Sequence, residues 1–85
     1  MYAIILQSQA EKFLKKLPHV VQGRIIEKLK ELKEKPEIGV PLTANLTGLW
    51  KLRIGDYRVM YEIRKSELTI FVIRIGHRKN IYEKA

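Results

Sequence analysis

Two arginines, Arg53 and Arg58, flank the dipeptide Gly55-Asp56 in a stretch that otherwise alternates apolar and polar residues. Gly-Asp between two such runs is a two-residue hairpin turn. That turn pairs Ile54 with Tyr57 and sets Arg53 directly across from Arg58. Like charges facing each other across strands cost from a few tenths of a kcal/mol to about 1 kcal/mol, so the pair adds nothing to folding. A bound anion would remove the repulsion and accept charge-assisted, bidentate hydrogen bonds from both guanidiniums. The alternative is that both side chains splay into water. Lys51 shares their face, two positions from Arg53, and Arg64 lies further along the second strand. The last strand and the tail after it add Arg74, His77, Arg78 and Lys79. Between Lys51 and Lys79 there are eight Lys or Arg against three Asp or Glu, a net of +5. That concentration is a phosphate-binding distribution.

What could such a face catalyse? The sequence has no glycine-rich phosphate loop, no His-Glu-x-x-His and no carboxylate cluster for a two-metal site, so no metal or cofactor is expected. RNA carries its own nucleophile, the 2′-hydroxyl. Its attack on the adjacent phosphate requires deprotonation of the hydroxyl, stabilisation of the phosphorane charge and protonation of the 5′-oxygen. Arginines suit the second task, and His77 and Tyr82 are the candidates for moving protons. Each has a structural alternative: an exit-turn residue for His77 and an anchor for the tail in the case of Tyr82. His19 opens a helix and reads as surface. Trp50 shares its face with Leu52 and Ile54 and reads as core, and Glu62 is expected to pair with Arg64 or Lys51.

The elements that position these residues follow from periodicity. Residues 2–6 are an apolar run read as a buried strand. Ser8 and Glu11 have capping-box spacing. Ala10, Phe13, Leu14 and Leu17 then form one helical stripe, and Val21, Ile25, Leu29 and Leu32 form a second after Pro18. Pro36 ends the second helix, and residues 36–48 read as loop. Strands are expected over 49–54, 57–64 and 68–75, with a basic tail over 76–82. Strand alternation sends Trp50, Leu52, Ile54, Tyr57, Val59, Tyr61 and Ile63 to one face and the basic residues to the other. The fold class is therefore α+β in the order β-α-α-β-β-β, a helical hairpin packed on one face of a small, mostly antiparallel sheet.

Composition sets the outer bounds. Eighty-five residues are expected to form a single domain, 1–85, and 46% hydrophobic content suits a globular chain. The absence of cysteine fits a reducing compartment. No apolar run approaches the roughly 18 residues of a membrane span, and the first residues lack the basic leader of a signal peptide. A cytoplasmic protein is expected. Seventeen Lys plus Arg against nine Asp plus Glu give +8 and a pI near 9.9, which suits a nucleic acid, an acidic protein partner, or both.

The stretch from Trp50 to Ile63, followed by Val72-Ile73-Arg74-Ile75-Gly76-His77-Arg78 and Tyr82, resembles the RelE/ParE toxin superfamily. So do Phe13-Leu14-Lys15-Lys16-Leu17 in the helical hairpin and Leu46-Thr47-Gly48 before the second strand. The resemblance covers essentially the whole chain. It implies the toxin of a toxin–antitoxin pair, with an acidic, RelB-like antitoxin as partner. RelE-type members act on the ribosome, cleaving mRNA in the A site by 2′-hydroxyl attack without metal. On that resemblance Lys51 and Arg53 hold the mRNA backbone and assist proton transfer. Arg58 and Arg78 stabilise the transition state, and Tyr82 stacks on a base. His77 stands where some members have a histidine and others a lysine. Arg53 replaces a lysine of some members, which shifts the acid role towards His77. Arg64, Arg74 and Lys79 are further RNA-binding candidates. ParE-type members share the fold but poison DNA gyrase without being enzymes. The co-occurrence of Lys51, Arg53, Arg58, His77, Arg78 and Tyr82 favours the nuclease over the gyrase poison and over an RNA-binding module without turnover.

Overall fold

The computed structural model describes residues 1–77. Its strands are β1 (Ala3–Leu6), β2 (Val40–Pro41), β3 (Trp50–Ile54), β4 (Tyr57–Arg64) and β5 (Thr69–His77); its helices are α1 (Ser8–Lys15) and α2 (His19–Glu34). The strands form one sheet in the order β1-β5-β4-β3-β2. β1 runs parallel to β5, and every other pairing is antiparallel. The α+β arrangement expected from periodicity is therefore present, with one addition. Val40 and Pro41, inside the expected loop, form an edge strand on β3.

The helices pack on one face. Ala10 and Leu14 of α1 and Ile25, Leu29 and Leu32 of α2 are buried against Leu52, Ile54, Val59, Tyr61, Ile70, Val72 and Ile75. Both helical stripes supply the core residues expected of them, with Phe13, Leu17 and Val21 partly buried beside it. Gln22 joins the two helices, because its side-chain amide donates to the carbonyls of Leu17 (2.8 Å) and Lys15 (3.3 Å). These are the acceptors that the end of α1 leaves without helical partners.

The expected capping box at Ser8 and Glu11 does not form. The ladder runs one residue further than expected: the Gln7 N–H donates to the Val72 carbonyl at 3.0 Å. Gln7 thereby becomes the extended N-cap residue and Ser8 the first residue of the helix. Glu11 lies instead near Lys15, at 3.9 Å. β5 continues beyond the end of β1, and a side chain takes over there. The Gln9 amide donates to the Ile75 carbonyl and accepts from the Ile75 N–H, both at 3.2 Å.

A buried phenol fixes the edge of the sheet. Tyr61 stacks on Trp50 with ring centroids 6.2 Å apart. Its hydroxyl donates to the Pro36 carbonyl (2.7 Å) and accepts from the Gly39 N–H (3.1 Å). Burial raises the Tyr61 pKa above 10.0; the Gly39 bond opposes the shift and the Glu37 carboxylate adds to it. A Cβ on Gly39 would collide with the Lys51 carbonyl oxygen and the Tyr61 hydroxyl. Only glycine fits where the chain crosses into β2.

Candidate phosphate-binding face

The hairpin between β3 and β4 is built as its residues dictate. Gly55 takes φ +60° and is the only turn residue with positive φ, the pattern of a type II′ turn. The register follows: Ile54 pairs with Tyr57, Arg53 with Arg58, and Lys51 with Met60. Arg53, Arg58, Lys51 and Val40 line one cleft of about 270 Å³ on the helix-free face. The Arg53 Nε donates to the Gly55 carbonyl and an Arg58 Nη to the Tyr57 carbonyl, both at a long 3.4 Å. Neither guanidinium has a carboxylate within ion-pair distance among the described residues. The two charges face a common space and are free to converge on an anion.

A bulge brings Arg74 to the same face. β4 pairs Met60 with Arg74 but Tyr61 with Val72, which leaves Ile73 of β5 as the extra residue. Were Ile73 paired in regular register, strict alternation from Ile70 and Val72, both in the core, would aim Arg74 inward and Ile75 outward. The inserted residue resets the parity. Ile75 is buried in the core, and Arg74 stands across from Met60 on the open face. Met60 is itself 3% exposed, flanked by Lys51 on one neighbouring strand and Arg74 on the other. Their aliphatic stems are placed to cover it. Gly76 lies opposite Arg58 and sets no side chain beside it.

Not every candidate joins this cluster. Counted past the bulge, His77 falls opposite Tyr57, with the rings edge-on at 5.7 Å. Tyr57 in turn contacts Phe13 of α1 at 6.2 Å. His77 therefore sits on the helix side of the sheet, and the expectation that it stands beside the arginines is corrected. Arg64 is also set apart, about 20 Å along β4 from Arg58 at the usual rise per residue. Glu62 holds it at 3.0 Å and Glu67 at 3.9 Å, and its guanidinium lies 4.1 Å above the Phe71 ring. Arg64 is thus ion-paired within the molecule and stands apart from the cleft. Arg78, Lys79 and Tyr82 lie outside the described residues. Sequence reasoning did not assign Val40 to this site. The available signal was a β-branched residue before a proline, a dipeptide that reads as extended edge strand.

A larger groove of about 530 Å³ runs along α2 past Gly23, Arg24, Glu27, Lys28, Glu31 and Ile54. Acidic and basic groups alternate there, so it offers no convergent charge for a phosphate.

Residues 4–82 match the family model described as the ParE toxin of type II toxin–antitoxin systems, parDE. The chain is 31% identical to Toxin RelG of Mycobacterium tuberculosis over 85 residues, covering 98% of each protein. It is 28% identical to the mRNA interferase toxin RelE of Escherichia coli over 88 residues, covering 99% of this chain and 93% of that toxin. Its fold superposes on a chain of the toxin–antitoxin complex RelBE2 from Mycobacterium tuberculosis with a TM-score of 0.83 and 30% identity. That superposition covers 91% of this chain and 98% of the other.

Proposed function

Since this chain belongs to the RelE/ParE superfamily and is a toxin of the type II toxin–antitoxin kind, we propose that it works as a metal-independent endoribonuclease that cleaves mRNA in the ribosomal A site. One observation carries the reading. Arg53 and Arg58 face a shared cleft with Lys51, and neither arginine is ion-paired among the described residues.

A phosphodiester seated there places its non-bridging oxygens between the two guanidiniums. The ribose 2′-oxygen attacks phosphorus while its proton passes to a base. Negative charge grows on the phosphorane and is held by Arg53 and Arg58. The bond to the 5′-oxygen breaks, leaving a 2′,3′-cyclic phosphate and a 5′-hydroxyl. A guanidinium releases a proton reluctantly, so the Lys51 ammonium is the group in the cleft suited to protonate the leaving oxygen. Arg74 extends the charge along the backbone path. Arg78 supplies a second transition-state charge and Tyr82 a stacking surface, as the resemblance implies, and Lys79, from the basic cluster, adds a backbone contact. The antitoxin is an acidic, RelB-like chain that neutralises the +8 surface. The toxin acts in the cytoplasm, and no helix among the described residues is long and apolar enough to cross a membrane.

The test is a translation reaction programmed with a defined mRNA, followed by mapping of the cut sites. Cuts within A-site codons are expected, and Arg58→Ala should lower their rate by at least about 100-fold, the scale of losing a transition-state charge stabiliser. Activity within a few-fold of the parent would remove Arg58 from this role. The family model bears the ParE name; intact mRNA together with trapped gyrase–DNA complexes would establish that second reading instead.

A further inference from the structure

One wall of the arginine cleft is apolar. Val40 lies directly opposite Lys51 and lines the cleft with Lys51, Arg53 and Arg58, yet it remains 54% exposed. A valine left half in water beside three cations contributes little to the core, and it cannot bind phosphate.

It is nonetheless held firmly in place. On one side the Gly39 N–H is bound to the Tyr61 hydroxyl, which also holds the Pro36 carbonyl. On the other, the Leu42 N–H donates to the Leu49 carbonyl at 2.8 Å. Pro41, without an N–H, keeps this short edge from recruiting another strand. The fold thus uses a buried tyrosine and a glycine that tolerates no substituent to hold one small apolar side chain at the rim of a cationic site.

We infer that Val40 forms a nucleoside subsite, packing against the base or ribose face next to the scissile phosphate and contributing to the choice of cleavage site. This rests on the ribonuclease reading above. The cations grip the phosphate, which carries no sequence information, whereas an apolar wall beside them meets the part of the nucleotide that differs between codons. The ligand class is single-stranded RNA, whose unstacked bases are free to lie against a side chain.

The experiment compares the unmodified chain, Val40→Ser, Val40→Ile and Arg58→Ala in translation reactions on one defined mRNA, recording kcat, KM and the distribution of cut codons. Val40→Ser should raise KM by about three- to tenfold, the effect of losing a methyl-sized apolar contact. It should leave kcat near the parent value and flatten the preference among codons. Val40→Ile should keep both. If Arg58→Ala abolishes cleavage while Val40→Ser leaves KM and the codon distribution unchanged, the subsite is wrong and the nuclease reading stands. An effect of Val40→Ser confined to neutralisation by the antitoxin would also overturn it. If the unmodified chain leaves mRNA intact, the nuclease reading fails and takes this inference with it.

Discussion

The facing arginines make a prediction that needs no substrate: the free protein should carry an unfavourable coupling between Arg53 and Arg58. The two residues are direct cross-strand partners, which places their Cβ atoms about 4.5–5.5 Å apart. Each guanidinium makes one long hydrogen bond to a backbone carbonyl, and such contacts add little. Removing either charge should therefore relieve repulsion without losing a strong partner. Arg53→Ala and Arg58→Met are the suitable changes, the methionine preserving most of the partly buried stem. Each should stabilise the chain by about 0.5 kcal/mol at low salt, equivalent to roughly 2–4 °C for a domain of this size. The double variant should gain no more than either single one.

A double-mutant cycle read by urea unfolding isolates this coupling from packing changes. The Debye length falls from about 10 Å at 0.1 M salt to about 3 Å at 1 M, so the coupling should fade in concentrated salt. Inorganic phosphate should do more than screen. It should raise the melting temperature of the unmodified chain more than that of either variant, because only the complete pair offers two guanidiniums to one anion. A coupling of zero or of favourable sign at low salt, with no phosphate effect particular to the parent, would refute the reasoning. The guanidiniums would then not share a field, and the site would lose its organising feature.

Two further outcomes follow from the packing. Tyr61→Phe leaves the Pro36 carbonyl and the Gly39 N–H without their partner, at a cost of about 1–3 kcal/mol in urea unfolding at neutral pH. Because burial raises the Tyr61 pKa above 10.0, the folded state holds this proton more tightly than the unfolded chain. Its contribution is full below pH 10 and is lost as pH rises through the folded value. The variant should lack that part of the alkaline decline, and an identical decline in both proteins would refute the assignment. Deleting Ile73 removes the extra residue and leaves Val72, Arg74 and Ile75 opposite Tyr61, Met60 and Val59 in strict alternation, so the faces are kept and the loss should stay within about 1–3 kcal/mol. Circular dichroism should show a cooperative melt for the deletion variant as for Ile73→Val, and loss of the cooperative transition on deletion would refute the assignment of Ile73 as the extra residue.

Much of the site is legible before any coordinates, and the reason is local. A two-residue turn fixes its own register, so Gly55-Asp56 determines that Arg53 meets Arg58. Helical stripes with a proline between them determine which faces of α1 and α2 are buried. Three features are not legible because they depend on partners distant in sequence. The bulge at Ile73 hides inside an apolar run, where a shift of parity leaves no mark until Arg74, and that shift carries His77 to the helix side. The capping box at Ser8 loses to a ladder bond from Gln7 to Val72, a residue that the sequence does not identify as its neighbour. Val40 becomes a strand only because Tyr61, 21 positions later, holds the adjoining turn through Gly39 and Pro36.

The helix-free face treats its arginines in two ways, and the contrast bears on function. At one end Arg64 is flanked by Glu62 and Glu67 and lies over Phe71, the usual fate of a surface cation beside carboxylates. At the hairpin end Arg53, Arg58 and Arg74 have no ion pair among the described residues. Asp56, in the turn between the first two, bonds to neither. A surface charged only for solubility has no reason to concentrate its carboxylates on the distant arginine and leave three others clustered beside a lysine. Such an arrangement raises the free energy of the empty protein locally and lowers it again when a phosphate arrives, which is what an anion-binding site requires.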